Sequence, residues 1–260
     1  MKVSIGTRQL AYESVGGGPV LALVHAFPFD GRMWRKTAAA LAGQRRVITP
    51  DMRGFGLSDL GSDGFSIADL ADDVAALLDV LKVPTATVGG MSMGGYVALA
   101  FARRHGDRLK SLILADTKAA ADTPEARQGR EAAIALVETQ GVAALLEKQI
   151  PRLLSAQASD SLRAEVRALG AQPPDAVIAA IRAMRDRPDR TAELPELAVP
   201  ALVVVGTHDA LCPPGDARAM AAAMRDARVV EIPRAGHLSN LENPDAFTAA
   251  YFISRKGDKH

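Results

Sequence analysis

Several things are scarce in this 260-residue chain. It has one cysteine, Cys212, so it can form no internal disulfide, and such sparing use fits a reducing compartment. The formal net charge is only +1, too little to draw the chain to nucleic acid or to an acidic membrane. No apolar run approaches the length that spans a bilayer, and Met1-Lys2-Val3-Ser4-Ile5-Gly6 lacks the apolar core of a signal peptide. Histidines are few, and His25, His105, His208, His237 and His260 show no paired ligand spacing. The expectation is a soluble, cytoplasmic protein with no metal. Apolar residues make up 48% of the chain, ample for one large domain or for a domain carrying an insertion.

What is present is an alternation of strands and helices. Residues 3–12 alternate like a strand or hairpin, and Gly16-Gly17-Gly18-Pro19 then breaks the chain. Continuous apolar runs at 20–24, 111–115 and 201–205 read as strands covered on both faces, with further strands at 46–49, 84–88 and 228–232. Helical patterns fall between them, at 30–41, 67–81 and 96–102, and another starts near 243–244. This order predicts an α/β fold with a mostly parallel sheet flanked by helices, whose ligands bind beyond the carboxyl ends of the strands. Residues 118–190 differ: they hold no strand-like run and are rich in Ala, Leu, Glu and Arg. Helices are expected near 124–139, 142–151, 160–169 and 174–185, together an inserted helical lid. The core is then 1–117 with 191–260.

Chemistry concentrates at Val88-Gly89-Gly90-Met91-Ser92-Met93-Gly94-Gly95, directly after a strand and before a helix. Gly90-x-Ser92-x-Gly94 fits a nucleophile elbow, a sharp turn where side chains two before and two after the serine would collide with neighbouring backbone. A phosphate-binding reading fails, because no Lys-Ser/Thr follows the last glycine and the G-x-G-x-x-G spacing is absent. A serine hydroxyl needs a base to take its proton. His237, in the loop after the last strand, is the candidate base, and Asp209 in Gly206-Thr207-His208-Asp209 would orient it. Asp116, at the end of strand 111–115, competes as the acid; Asp209 is preferred because its loop lies one strand closer to His237. His208 competes as the base but adjoins the acid. An oxyanion hole needs backbone N–H groups. Met93, at a helix N-terminus, and Phe27, in the loop after strand 20–24, are assigned that role, while His25 is assigned a structural hydrogen bond there.

Together, His25-Ala26-Phe27-Pro28, Asp51-Met52-Arg53-Gly54-Phe55-Gly56-Leu57-Ser58, the elbow, Gly206-Thr207-His208-Asp209 and Gly236-His237 make the chain resemble the α/β-hydrolase superfamily over nearly its whole length. Ala26 stands where a glycine is common. The resemblance implies the triad order Ser92, Asp209, His237 and a structural role for the loop 51–58. Ser92-Met93-Gly94-Gly95-Tyr96 with Leu114-Ala115-Asp116-Thr117 looks like the 3-oxoadipate enol-lactonase and small carboxylesterase branch. The implied activity is hydrolysis of a small-molecule ester or lactone without a cofactor. Carbon–carbon bond hydrolases and cofactor-free perhydrolases share the triad, and some proteins of this fold are small-molecule receptors. Lid arginines are either a seat for a substrate carboxylate or an ordinary solvated face.

Overall fold

The computed structural model describes residues 1–61 and 64–252; His260 and the last residues of the expected core lie outside the described residues. The chain opens with an antiparallel hairpin, β1 (Lys2–Ile5) and β2 (Arg8–Val15), and continues into β3 (Val20–Val24). The helix expected over 30–41 divides in two. The Asp30 side chain accepts from Arg32 N, starting a 3-10 turn at Gly31–Trp34, and α1 (Arg35–Leu41) follows.

After β4 (Arg46–Pro50) comes α2 (Ile67–Val80), opened by a capping box in which Ser66 and Asp69 satisfy each other's backbone amides. Strand β5 (Ala86–Met91) runs three residues further than the apolar pattern predicts, through Gly89 and Gly90. Glycine is poor strand material, but a Cβ on Gly89 would stand 2.7 Å from Ile113 Cβ, so packing rather than propensity decides it. The next helix, α3 (Met93–Arg104), starts immediately after Ser92, and β6 (Leu109–Ala115) follows.

Between β6 and the next strand the chain leaves the sheet for α4 (Pro124–Leu153), α5 (Asp160–Gly170) and α6 (Pro174–Arg185). Gly141, with φ 81° and ψ 173°, breaks α4 where a gap between two helices is expected. These helices do not close on a core of their own. Ile134, Leu145, Val177 and Ile181 join the apolar cluster under α2 and α3, and Ile150, Val166 and Leu169 join the cluster on the opposite face. The chain then completes the sheet with β7 (Ala201–Gly206), α7 (Pro214–Ala222), β8 (Ala227–Ile232), α8 (Ser239–Glu242) and α9 (Pro244–Phe252). The order across the sheet is β1-β2-β4-β3-β5-β6-β7-β8, parallel from β4 to β8. No described helix is long and apolar enough to cross a membrane.

Candidate active site

Ser92 caps the carboxyl end of β5 in a conformation that L residues rarely adopt, φ 54° and ψ −113°. Such a residue costs about 1–3 kcal/mol and persists only where its surroundings over-determine it. Here they do. Ser92 N donates to Ala115 O (2.9 Å), and Ser92 O accepts from Gly95 N (2.9 Å) and from Thr117 Oγ1 (2.8 Å). A Cβ on Gly90 would lie 2.1 Å from Gly94 O, and one on Gly94 would lie 2.2 Å from Val24 O. Both glycines are therefore required by close backbone approach. Ser92 Oγ is half-buried and makes no hydrogen bond among the described residues.

Two strands along, Asp209 follows β7 in a tight turn. Its Oδ1 accepts from Leu211 N (2.8 Å) and Cys212 N (3.0 Å), and its Oδ2 lies 2.8 Å from His237 Nδ1. Both side chains are buried. A carboxylate at Nδ1 makes that nitrogen the donor, so Nε2 carries the lone pair able to take a proton. His208 is exposed, and it is Asp209 rather than Asp116 that touches His237. Asp116 instead accepts from Gly206 N (2.8 Å) and Ser239 Oγ (2.5 Å).

Gly236 is not in the left-handed region. The left-handed residue of this loop is Arg234 (φ 57°). Gly236 is small because a Cβ there would lie 2.8 Å from Ser155 N and 2.9 Å from Glu242 Oε1. Glu242 was not singled out by sequence. Its carboxylate accepts from Gly236 N (2.6 Å) and Ser155 N (3.0 Å), while Leu238 N donates to Leu153 O (3.1 Å). Both neighbours of His237 are thus tied to the end of α4, and no local pattern marks a partner 87 residues away.

Phe27 N and Met93 N have no hydrogen-bond partner among the described residues. For Met93 the reason is general, since first-turn amides lack an intrahelical acceptor. For Phe27 the preceding peptide is clamped: Ala26 O accepts from Phe29 N (2.9 Å) and meets His25 Nδ1 at 3.0 Å. His25 Nε2 accepts from Met52 N (2.9 Å), and burial holds the imidazole neutral by lowering its pKa. The loop 51–58 is structural, as expected: Asp51 accepts from Gly31 N and Leu57 N, and Ser58 Oγ donates to Asp51 O.

Gln172 also escaped the sequence reading. It accepts from Gly56 N (2.9 Å) and donates to Asp30 Oδ2 and Leu169 O (both 2.8 Å), joining the turn after α5 to two core loops. Of the arginines between β6 and β7, Arg130, Arg167, Arg185, Arg187 and Arg190 each already face a carboxylate of this chain. Arg187 is buried against Asp122, with its guanidinium 4.0 Å above the Tyr96 ring. Burial pushes the Tyr96 phenol up to about 12. Among the described residues, the one group able to hold a metal ion is Asp209, Cys212 and His237, whose ligand atoms lie within 4.8 Å of one another. An ion there would have to displace the Asp209–His237 hydrogen bond. The Cys212 thiol is pushed up by burial and by Asp209, so it is inert as a nucleophile.

Residues 19–244 match the α/β hydrolase fold family. The chain belongs to that family. Among solved α/β hydrolases it is similar to a thermophilic esterase from Thermogutta terrifontis solved with malate bound, 39% identical with a TM-score of 0.93, covering 97% of each chain. It is also similar to the enol-lactonase from Burkholderia xenovorans LB400, 32% identical with a TM-score of 0.90, covering 97% of this chain and 98% of that one. By sequence it is 30% identical to 3-oxoadipate enol-lactonase 1 of Acinetobacter baylyi over 88% of this chain and 85% of that protein. The 3-oxoadipate enol-lactonase and esterase branch expected from the elbow segment is the neighbourhood in which this hydrolase falls.

Proposed function

We propose that this α/β hydrolase is a serine esterase or lactonase acting on small carboxylic esters or lactones through an acyl-enzyme. One observation carries the reading: a buried His237 whose Nδ1 is bound to Asp209, on the sheet edge where Ser92 sits in a strained turn. Ser92 Oγ attacks the carbonyl carbon as His237 Nε2 takes its proton, and Asp209 stabilises the imidazolium. The negative charge on the carbonyl oxygen is met by Phe27 N–H and Met93 N–H, the second at the positive end of α3. Collapse of the tetrahedral adduct breaks the C–O bond, and the imidazolium gives its proton to the leaving alkoxide. Water, deprotonated by the same imidazole, then attacks the acyl-serine and releases the acid.

Residues 118–190 serve as a lid over the core 1–117 and 191–260 and set the size of the acyl pocket. Arg130, Arg167 and Arg185 already face carboxylates of this chain, which argues against them as a seat for a substrate carboxylate. The single cysteine supports a cytoplasmic site of action.

The test is turnover of short-chain aryl esters and enol-lactones by wild type beside Ser92→Ala. A loss of about 10⁴-fold or more in kcat is expected for the variant. Equal rates would sink the reading, and turnover confined to a diketone or to peracid formation would move it to the carbon–carbon or perhydrolase class.

A further inference from the structure

The site holds a second buried carboxyl that the mechanism above does not use. Asp116 has no solvent exposure, stands at the end of β6 in the left-handed region (φ 45°), and makes no ion pair among the described residues. Its Oδ1 accepts from Gly206 N, three residues before Asp209. Its Oδ2 accepts from Ser239 Oγ, two residues after His237. One side chain therefore bonds to both loops that carry the acid and the base. Because β6 pairs with β7, Ala115 beside Val204, Asp116 leaves the sheet on the strand next to the one that leads to Asp209, close enough for the Asp209 charge to act on it.

Asp209 accepts from Leu211 N, Cys212 N and His237 Nδ1, which leaves its carboxylate one further acceptor site. Two carboxylates side by side in a dry pocket cannot both be ionised without a cation between them. Asp209 faces the imidazole, so Asp116 is the one left to carry the proton. The other titratable groups of this corner are Cys212, beside Asp209, and Lys118, whose charge acts on Cys212. Neither is bonded to Asp116.

We infer that Asp116 is a positioning residue of the Asp209–His237 pair: it is held as the neutral acid, donates its hydrogen bond to the Asp209 carboxylate, and pins the two loops together. The inference rests on the serine-hydrolase reading for its effect on turnover, though not for its protonation state. Burial first, and then Asp209, push the Asp116 carboxyl well above the ordinary range, against the opposing bonds from Ser239 and Gly206. An asparagine keeps the shape and the acceptor facing Gly206 N, and its NH2 donates towards Asp209 and towards Ser239 Oγ, whose hydroxyl turns to accept.

The test compares Asp116→Asn and Asp116→Ala with wild type. In the infrared, wild type at neutral pH should show the carbonyl band of a protonated carboxylic acid that Asp116→Asn lacks. No such band, or one that survives in Asp116→Asn, overturns the inference without reference to any substrate. Stability gives a second reading independent of turnover. A carboxyl whose folded pKa is raised contributes fully below its unfolded value and loses that contribution as pH rises. Asp116→Asn should therefore melt higher than wild type at pH 7–8, with the difference vanishing towards pH 4; a lower melting point at neutral pH counts against it.

In turnover, Asp116→Asn should stay within about threefold of wild type with the acidic limb of kcat/KM unmoved, while Asp116→Ala should lose about 10–100-fold in kcat. An acidic limb displaced to lower pH in Asp116→Asn would mean that a negative charge had been removed beside His237, which also overturns it. Should Ser92→Ala prove as active as wild type, the mechanism falls while the infrared and melting results still decide the state of Asp116.

Discussion

The carboxyl edge of the sheet and the helices between β6 and β7 are held by different kinds of bond. At the edge the ties are dense and of several kinds: backbone to backbone in Ser92 N to Ala115 O and His208 N to Ala235 O, a side chain on nearby amides in Asp209 to Leu211 N and Cys212 N, and a side chain across strands in Asp116 to Gly206 N and Ser239 Oγ. The inserted helices share apolar clusters with the core, but Glu242 and Gln172 each tie them to the core loops through one side chain. Glu242 joins Ser155 to the His237 loop, and Gln172 joins the α5 turn to Asp30 and Gly56. Chemistry that needs sub-ångström placement sits on the first kind of support. The lid proposed to set substrate size rests on the second.

The comparison breaks if the edge tolerates change. Asp209→Asn should lower kcat by about 10⁴-fold, because a neutral amide neither holds the Nδ1–H tautomer nor stabilises the imidazolium. Steady-state kinetics check this; a loss below about tenfold would mean that the acid lies elsewhere. Glu242→Ala probes the seam between the two regions. It strands the Gly236 and Ser155 amides, each worth about 1–3 kcal/mol when left unsatisfied, so thermal melting should drop by several degrees. Because the Gly236 flank of His237 loosens, kcat should also fall, by about tenfold.

Gln172→Ala touches only the insertion's outer tie. A loss of about 1–2 kcal/mol is expected in urea titration, with KM rising more than kcat falls. Equal loss in both parameters would erase the distinction between edge and insertion.

The smallest effect is on acid stability. The folded pKa of His25 lies below its ordinary value of about 6.5, through burial, so the unfolded chain binds the proton more readily. Its contribution is complete above that value and is lost as pH falls towards the folded pKa, at up to about 1.4 kcal/mol per pH unit. The urea midpoint should therefore decline as pH falls below about 6.5.

The difference between the regions also explains what could be read from the chain. Ser92, Asp209 and His237 are legible because each follows an apolar strand and sits among glycines that leave a short, recognisable spacing. The break in α4 at Gly141 was visible for the same reason. Glu242 and Gln172 were not, because a glutamate or a glutamine in a polar stretch looks like any solvated residue until its distant amide partner is known. The need for Gly236 is hidden on the same ground: the atom that forbids its side chain belongs to Ser155, on another element.

The sequence by itself determined the alternation of strands and helices, the elbow and the order of the candidate triad, since apolar periodicity and close-packed glycines act over a few residues. Between Asp116 and Asp209 it could express only a preference. Both follow apolar strands and both are aspartates. Only the tertiary structure separates them by contact: adjacent parallel strands bring the two segments side by side while only Asp209 meets His237, and burial beside a like charge is a property of that meeting rather than of either segment alone.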